Sequence, residues 1–202
     1  CFGIGFPVAL VVLGPLGYNI GALLTTVILA LYNTLGWLAV ALLAAVLPFM
    51  ISMGMHKALV PYAVASISDP GFEMLYMPAS LAHNISEGGA CLGVALKTKD
   101  ENLRATAISA GISGLFGITE PALFGVLTKY KKGFLAATIG SCVGSAFIGA
   151  FGVRLYGYIT SSIFSIPAYI GPYFIYAAIG WVIAFGLSFV LSYLFVVKMD
   201  RS

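Results

Sequence analysis

The stretch 116–125 reads FGITEPALFG and sets one carboxylate, Glu120, directly before Pro121, inside a run otherwise apolar for many residues on either side. Whether that acid faces water or lies at membrane depth decides the fold. Of the 202 residues, 60% are hydrophobic and only 8% are charged, and the mean hydropathy is +1.03. A soluble domain carries about 25% charged residues. Too few charges are present to coat a water-facing exterior, so the solvent is mostly lipid and the expected class is an all-α membrane protein.

A spanning helix needs about 20 apolar residues to cross a hydrocarbon core of about 30 Å. Candidate spans are 20–47, 50–67, 74–96, 105–128, 134–153 and 172–197, with 2–16 as the tail of an earlier element. Two of them are expected to be broken. The segment 105–128 contains Gly111, Gly114, Gly117 and Pro121, and 74–96 contains Pro78, Asn84, Glu87 and the Gly88-Gly89 pair. Helices interrupted at membrane depth survive where protein or a water-filled cavity satisfies the freed backbone groups, and paired interruptions point to a transporter's binding site. The expected architecture is a multi-span helical transport domain with broken helices and re-entrant hairpins, occupying 1–202 as one membrane domain.

Most of the positive charge lies in KTKDENLR (97–104), KYKK (129–132) and the tail KMDRS (198–202). Positive loops favour the cytoplasmic side. With 97–104 and 129–132 on one face, the element between them enters and leaves from that face, as a re-entrant hairpin with its apex near Glu120. The stretch RLYGYITSSIFSIPAY (154–169) reads as irregular or interfacial. The formal charge of +3 suggests membrane orientation and gives no hint of nucleic acid. The chain opens on Cys1 in an apolar run without a basic segment or cleavage site, which reads as a piece of a longer polypeptide and not as a signal peptide. Cys91 and Cys142 share no ligand spacing with Cys1 and read as small packing residues.

An ionisable group in the hydrocarbon region costs several kcal/mol unless paired or wet, which makes each one a functional candidate. Glu120 leads. Gly117 permits a tight turn, Pro121 removes a backbone donor, and Thr119 is placed to cap the turn that follows. A carboxylate there can accept bonds from two hydroxyls, as recognition of a sugar demands; the blander reading is a helix-break acid bonded to local amides. His56, beside Lys57 in ISMGMHKALVP, either donates to a sugar oxygen, holds Glu120, or is simply packed. As a metal ligand it lacks partners, since His83 is the only other histidine. Asn84 and Glu87 lie one helical turn apart on a shared face, either as binding residues or as a polar helix end. Asp69 and Glu73 flank Pro70-Gly71 as an ordinary loop, and Arg154 reads as a snorkelling anchor.

Taken together, GITEPALFGV (117–126), GMHKALVP (54–61), MPASLAHNISEGGACLGVALKTK (77–99) and the SAGISGLFGITEP approach (109–121) resemble the membrane-embedded IIC domain of bacterial phosphotransferase-system sugar permeases. The likeness is to the β-glucoside, sucrose and trehalose branch of the glucose superfamily. It covers essentially the whole chain and corresponds to the later part of a IIC domain, without the early spans and without the IIA and IIB domains.

The resemblance implies a multi-pass protein of the bacterial inner membrane that binds a sugar, β-glucoside by preference, and couples its passage to phosphorylation by a IIB phosphocysteine. Phosphoenolpyruvate is the ultimate donor, through a IIA domain. Glu120 matches the glutamate that binds the hydroxyl to be phosphorylated and assists its deprotonation, and His56 the sugar-proximal histidine. Thr119, Asn84 and Glu87 fall in matching motifs as further substrate-binding candidates. The implied partners are the sugar, IIB and IIA in the same or separate chains, the lipid bilayer and a second copy in a homodimer, with no cofactor. Cys91 and Cys142 lack the arginines of a phosphocysteine motif, so the phosphoryl carriers lie elsewhere. Two other classes stay open on the residues: an ion-coupled secondary transporter with Glu120 as its proton site, and a sugar sensor without flux.

Overall fold

The computed structural model describes residues 34–68 and 71–197, with isolated positions between 23 and 32. The expected element at 2–16, and most of the 20–33 part of the span expected over 20–47, lie outside the described residues. The elements are α1 (Trp37–Ser52), a 3-10 turn (Met55–Leu59), α2 (Val60–Ser68), α3 (Tyr76–Lys97), α4 (Glu101–Leu115), a π-helical segment (Pro121–Leu127), α5 (Lys131–Ala150), a second 3-10 turn (Ile163–Tyr169) and α6 (Phe174–Val197). Among the described residues β-pairing is limited to one isolated bridge, Glu73 with Leu155.

Helix α3 is the centre of the packing, with α1, α4, α5 and α6 around it. All of its residues are buried except Leu92, Leu96 and Lys97. A helix that carries His83, Asn84, Ser86 and Glu87 needs that position, because protein and not lipid must surround its polar groups. The interruption expected in 74–96 is absent: α3 runs unbroken for 22 residues. Pro78 falls in the first turn, where no intrahelical donor is required. Gly88, Gly89 and Gly93 are there for packing. A Cβ on Gly89 would lie 2.7 Å from the Phe185 carbonyl oxygen of α6, one on Gly93 2.6 Å from that of Phe189, and one on Gly88 2.7 Å from the Leu115 side chain of α4. Small residues that let backbones approach closely are the usual means of packing helices within a membrane.

Glu73, expected in an ordinary loop, is buried and caps α3. Its Oε1 accepts from the Leu75 and Tyr76 amides, both at 2.7 Å, and its Oε2 from the Met77 amide at 2.8 Å. Those are orphan donors of a helix N-terminus, and a carboxylate there also opposes the helix dipole. Burial pushes the Glu73 carboxyl upward in pKa, and the three amide bonds pull it back. The Arg154 guanidinium lies over the Phe72 ring at 4.1 Å and the Tyr173 ring at 5.2 Å. The loop 71–76 is thereby tied to the 153–155 segment and the start of α6.

Helix α5 and the Phe174–Phe195 part of α6 are long and apolar enough to cross a membrane. The outward faces repeat large apolar residues at helical spacing, with Leu135, Ile139 and Val143 on α5 and Ile175, Ile179, Val182, Val190 and Leu194 on α6. Such stripes suit contact with lipid chains.

Candidate functional site

The interruption expected in 105–128 is present. Helix α4 stops at Leu115, and the Gly117 amide donates to Gly114 O at 3.0 Å while the Ile118 amide donates to Ser113 O at 3.0 Å. This pair of bonds is a Schellman C-cap, which requires a left-handed residue after the helix. Gly117 supplies it at φ 87°. The chain then restarts with Pro121 at the first position of the π-helical segment, and Gly125 comes back to lie 3.8 Å, at Cβ distance, from the Thr106 methyl of α4. Residues 101–128 therefore form a hairpin whose tip is 116–120 and whose two ends lie beside the lysine loops. The Thr119 side chain makes no cap; its carbonyl accepts from the Leu123 amide at 2.8 Å and its side chain is buried.

Three separate sequence motifs meet at this tip. A cavity of about 60 Å³ takes Lys57 from GMHKALVP, Asn84 from α3 and Gly117 from GITEP into its wall, together with Tyr76, Met77, Ser80, Tyr158, Thr160 and Ser161. At about 10–15 Å³ per water this holds roughly four waters and no sugar ring. Two contacts pinch it. Asn84 Nδ2 donates to the Ser161 carbonyl at 2.6 Å, and the same carbonyl lies 2.7 Å from where a Gly117 Cβ would stand. The Phe116 and Phe164 rings stack beside them with centroids 5.3 Å apart.

The predicted residues divide accordingly. Asn84 lines the cavity. Glu120 is exposed at the tip, three residues beyond Gly117, and is not part of the cavity wall. His56 is half-buried next to Lys57, and its buried Nδ1 has no hydrogen-bond partner. Glu87 is turned away from the cavity. Its Oε1 stands 3.2 Å from His83 Nε2 with both side chains fully buried, in ion-pair distance but out of hydrogen-bond alignment, and neither has another polar partner. Among the described residues no three His, Cys, Asp or Glu side chains converge as metal ligands. The spacing of one motif could not reveal Tyr158, Thr160 and Ser161, which arrive from a loop some forty residues beyond the tip.

The sequence profile of the family described as "Phosphotransferase system, EIIC" matches residues 4–141, and the chain belongs to that family. It is similar to the PTS system beta-glucoside-specific EIIBCA component of Bacillus subtilis (strain 168), 39% identical over 183 residues that make up 89% of this chain and 30% of that protein. The arbutin-, cellobiose-, and salicin-specific EIIBC component of Escherichia coli (strain K12) is 34% identical over 84% of this chain and 35% of its own length. The sucrose-specific EIIBC component of Pasteurella multocida (strain Pm70) is 33% identical over 91% and 39%. The chain thus spans about a third of the length of these curated relatives. All three are phosphotransferase components, which gives the ion-coupled alternative no support. No solved structure matches the chain.

Proposed function

We propose that this chain is the sugar-handling part of a multi-pass phosphotransferase permease of the bacterial inner membrane, acting on glucosides of the β-glucoside or sucrose type. The observation that carries the reading is the convergence of Lys57, Asn84 and Gly117, one from each motif, on a single polar cavity at the hairpin tip. Hairpin 101–128 is read as re-entrant, with its ends on the cytoplasmic face. The relatives' names join β-glucosides, arbutin, cellobiose, salicin and sucrose to this sequence pattern. Each is a glucosyl unit linked to a second group, and the choice among them is left to the cavity walls.

In this mechanism Glu120 accepts the hydrogen bond of the hydroxyl to be phosphorylated. His56 donates to a neighbouring sugar oxygen, and Thr119 and Asn84 fix the ring from the tip and from α3. Glu87 acts behind Asn84, through His83. The hydroxyl oxygen attacks phosphorus, the S–P bond of the IIB phosphocysteine breaks, the thiolate leaves and the hydroxyl proton passes to Glu120. Phosphoryl transfer depends mainly on positioning and charge stabilisation, so a membrane domain that orients one hydroxyl completes the site when IIB brings the donor. IIB and IIA belong to the same or separate chains, and two copies form the working unit.

The test uses membrane vesicles carrying the full-length permease. Sugar phosphate is expected only when phosphorylated IIB is present, and Glu120→Gln is expected to lower its formation at least about a hundredfold while leaving the protein inserted. Phosphorylation unaffected by Glu120→Gln would remove that residue from the reaction. Accumulation of free sugar without a phosphoryl donor would overturn the reading.

A further inference from the structure

The rest of the cavity wall has no assigned role. Besides Lys57, Asn84 and Gly117, the cavity is lined by Tyr76, Met77 and Ser80 at the start of α3, the last two within the 77–99 motif, and by Tyr158, Thr160 and Ser161 on the irregular segment between α5 and the second 3-10 turn. It holds two phenol rings and three hydroxyls, and no carboxylate lines it. A wall of hydroxyl donors and acceptors with aromatic faces fits a neutral polyhydroxyl or phenolic ring, because each polar group of the ligand then finds a partner and its apolar face meets a ring.

We infer that this wall is a subsite for the non-reacting half of a glycoside, the second sugar ring or aglycone, and that residues 158–161 select it. The inference rests on the proposed function, since it places the reacting glucosyl unit on the Glu120 side of Gly117. Geometry supports the division. Gly117 and Asn84 line the cavity together with Tyr76 and Tyr158, while Glu120, three residues beyond Gly117 on the exposed tip, lies outside its wall. In the described conformation the cavity is too small for a sugar ring, with room for roughly four waters. Loading a ring requires the Ser161 carbonyl to leave Asn84 and the face of Gly117. Few other side-chain hydrogen bonds hold the segment that must move: Ser161 Oγ donates to Met77 Sδ at 3.9 Å, and Ser162 bonds only within 160–165. Tyr158 is 46% exposed, so it can be changed without opening the core.

The experiment measures binding to the purified full-length permease of salicin, cellobiose and sucrose, which carry a second ring, against methyl β-glucoside, which does not. Tyr158→Ala and Thr160→Val are expected to weaken the best two-ring ligand at least about tenfold, the size of one lost ring contact or hydrogen bond, and to change methyl β-glucoside less than about twofold. Tyr158→Phe keeps the ring and checks the hydroxyl alone, with an intermediate loss expected. Equal weakening of both ligand classes, or of neither, overturns the subsite while leaving the proposed function standing. A wild-type permease that binds no glycoside overturns both.

Discussion

Replacing Gly117 with Ala isolates the turn that brings the motifs together. At φ 87° an L-residue pays the left-handed penalty of about 1–2 kcal/mol. The new methyl would stand 2.7 Å from the Ser161 carbonyl oxygen and 3.1 Å from Ser162 Cβ. Relief to ordinary contact needs a shift of several tenths of an ångström in a carbonyl that also accepts the 2.6 Å bond from Asn84. Loss of that bond adds about 0.5–1.5 kcal/mol, giving roughly 1.5–3.5 kcal/mol in all. Thermal unfolding of the full-length permease in detergent reads the change. Gly186→Ala is the control, since nothing lies within 4 Å of a Cβ there and its φ is ordinary, so the change is expected to be neutral or slightly stabilising. Gly117→Asn separates the two causes, because Asn tolerates the left-handed region and still meets Ser161. Gly117→Ala indistinguishable from Gly186→Ala would refute the reasoning.

Glu73→Ala is expected to destabilise by about 2–4 kcal/mol in the same unfolding assay, as three amide donors of α3 lose a buried carboxylate. Glu73→Gln should recover only part of the loss. For the buried pair, His83→Ala or Glu87→Ala alone should cost about 3–5 kcal/mol by stranding its partner, whereas joint replacement by His83→Leu and Glu87→Met should come close to neutral for stability; a double-mutant cycle measures the difference. Gly93→Leu should prevent normal assembly of α3 against α6, read as loss of detergent-stable protein, because a Cβ already falls 2.6 Å from Phe189 O.

The hairpin break was legible because glycine and proline act locally: Gly117 supplies a dihedral and Pro121 withdraws a donor within five residues. The same two residue types misled in α3. Pro78 is harmless where the first turn has no intrahelical bond to lose, and the Gly88-Gly89 pair answers to Leu115 and Phe185, distant in sequence. Glu73 also carried a readable signal, an acid just before a long apolar run beginning at Leu75, but its proximity to Pro70-Gly71 made a loop the easier reading. The Arg154 stack between Phe72 and Tyr173 and the loop wall at 158–161 depend on contacts spanning about twenty to eighty residues, which periodicity does not encode. Neither His56 nor Glu120 lines the cavity that the three motifs share.

The glycine seams along α3 and α5 constrain how such a molecule can change shape. Where an added Cβ would already fall within 3 Å of a facing carbonyl oxygen, at Gly93 on Phe189, Gly140 on Ala184 and Gly144 on Gly180, the helices cannot slide by a residue without driving a side chain into main chain. Helices α3, α5 and α6 must therefore travel as one block, and the freedom that admits a solute is left to the segment between Gly157 and Ser162, which is fastened at Ser161, by Asn84 and the close approach of Gly117, and not by a seam along its length.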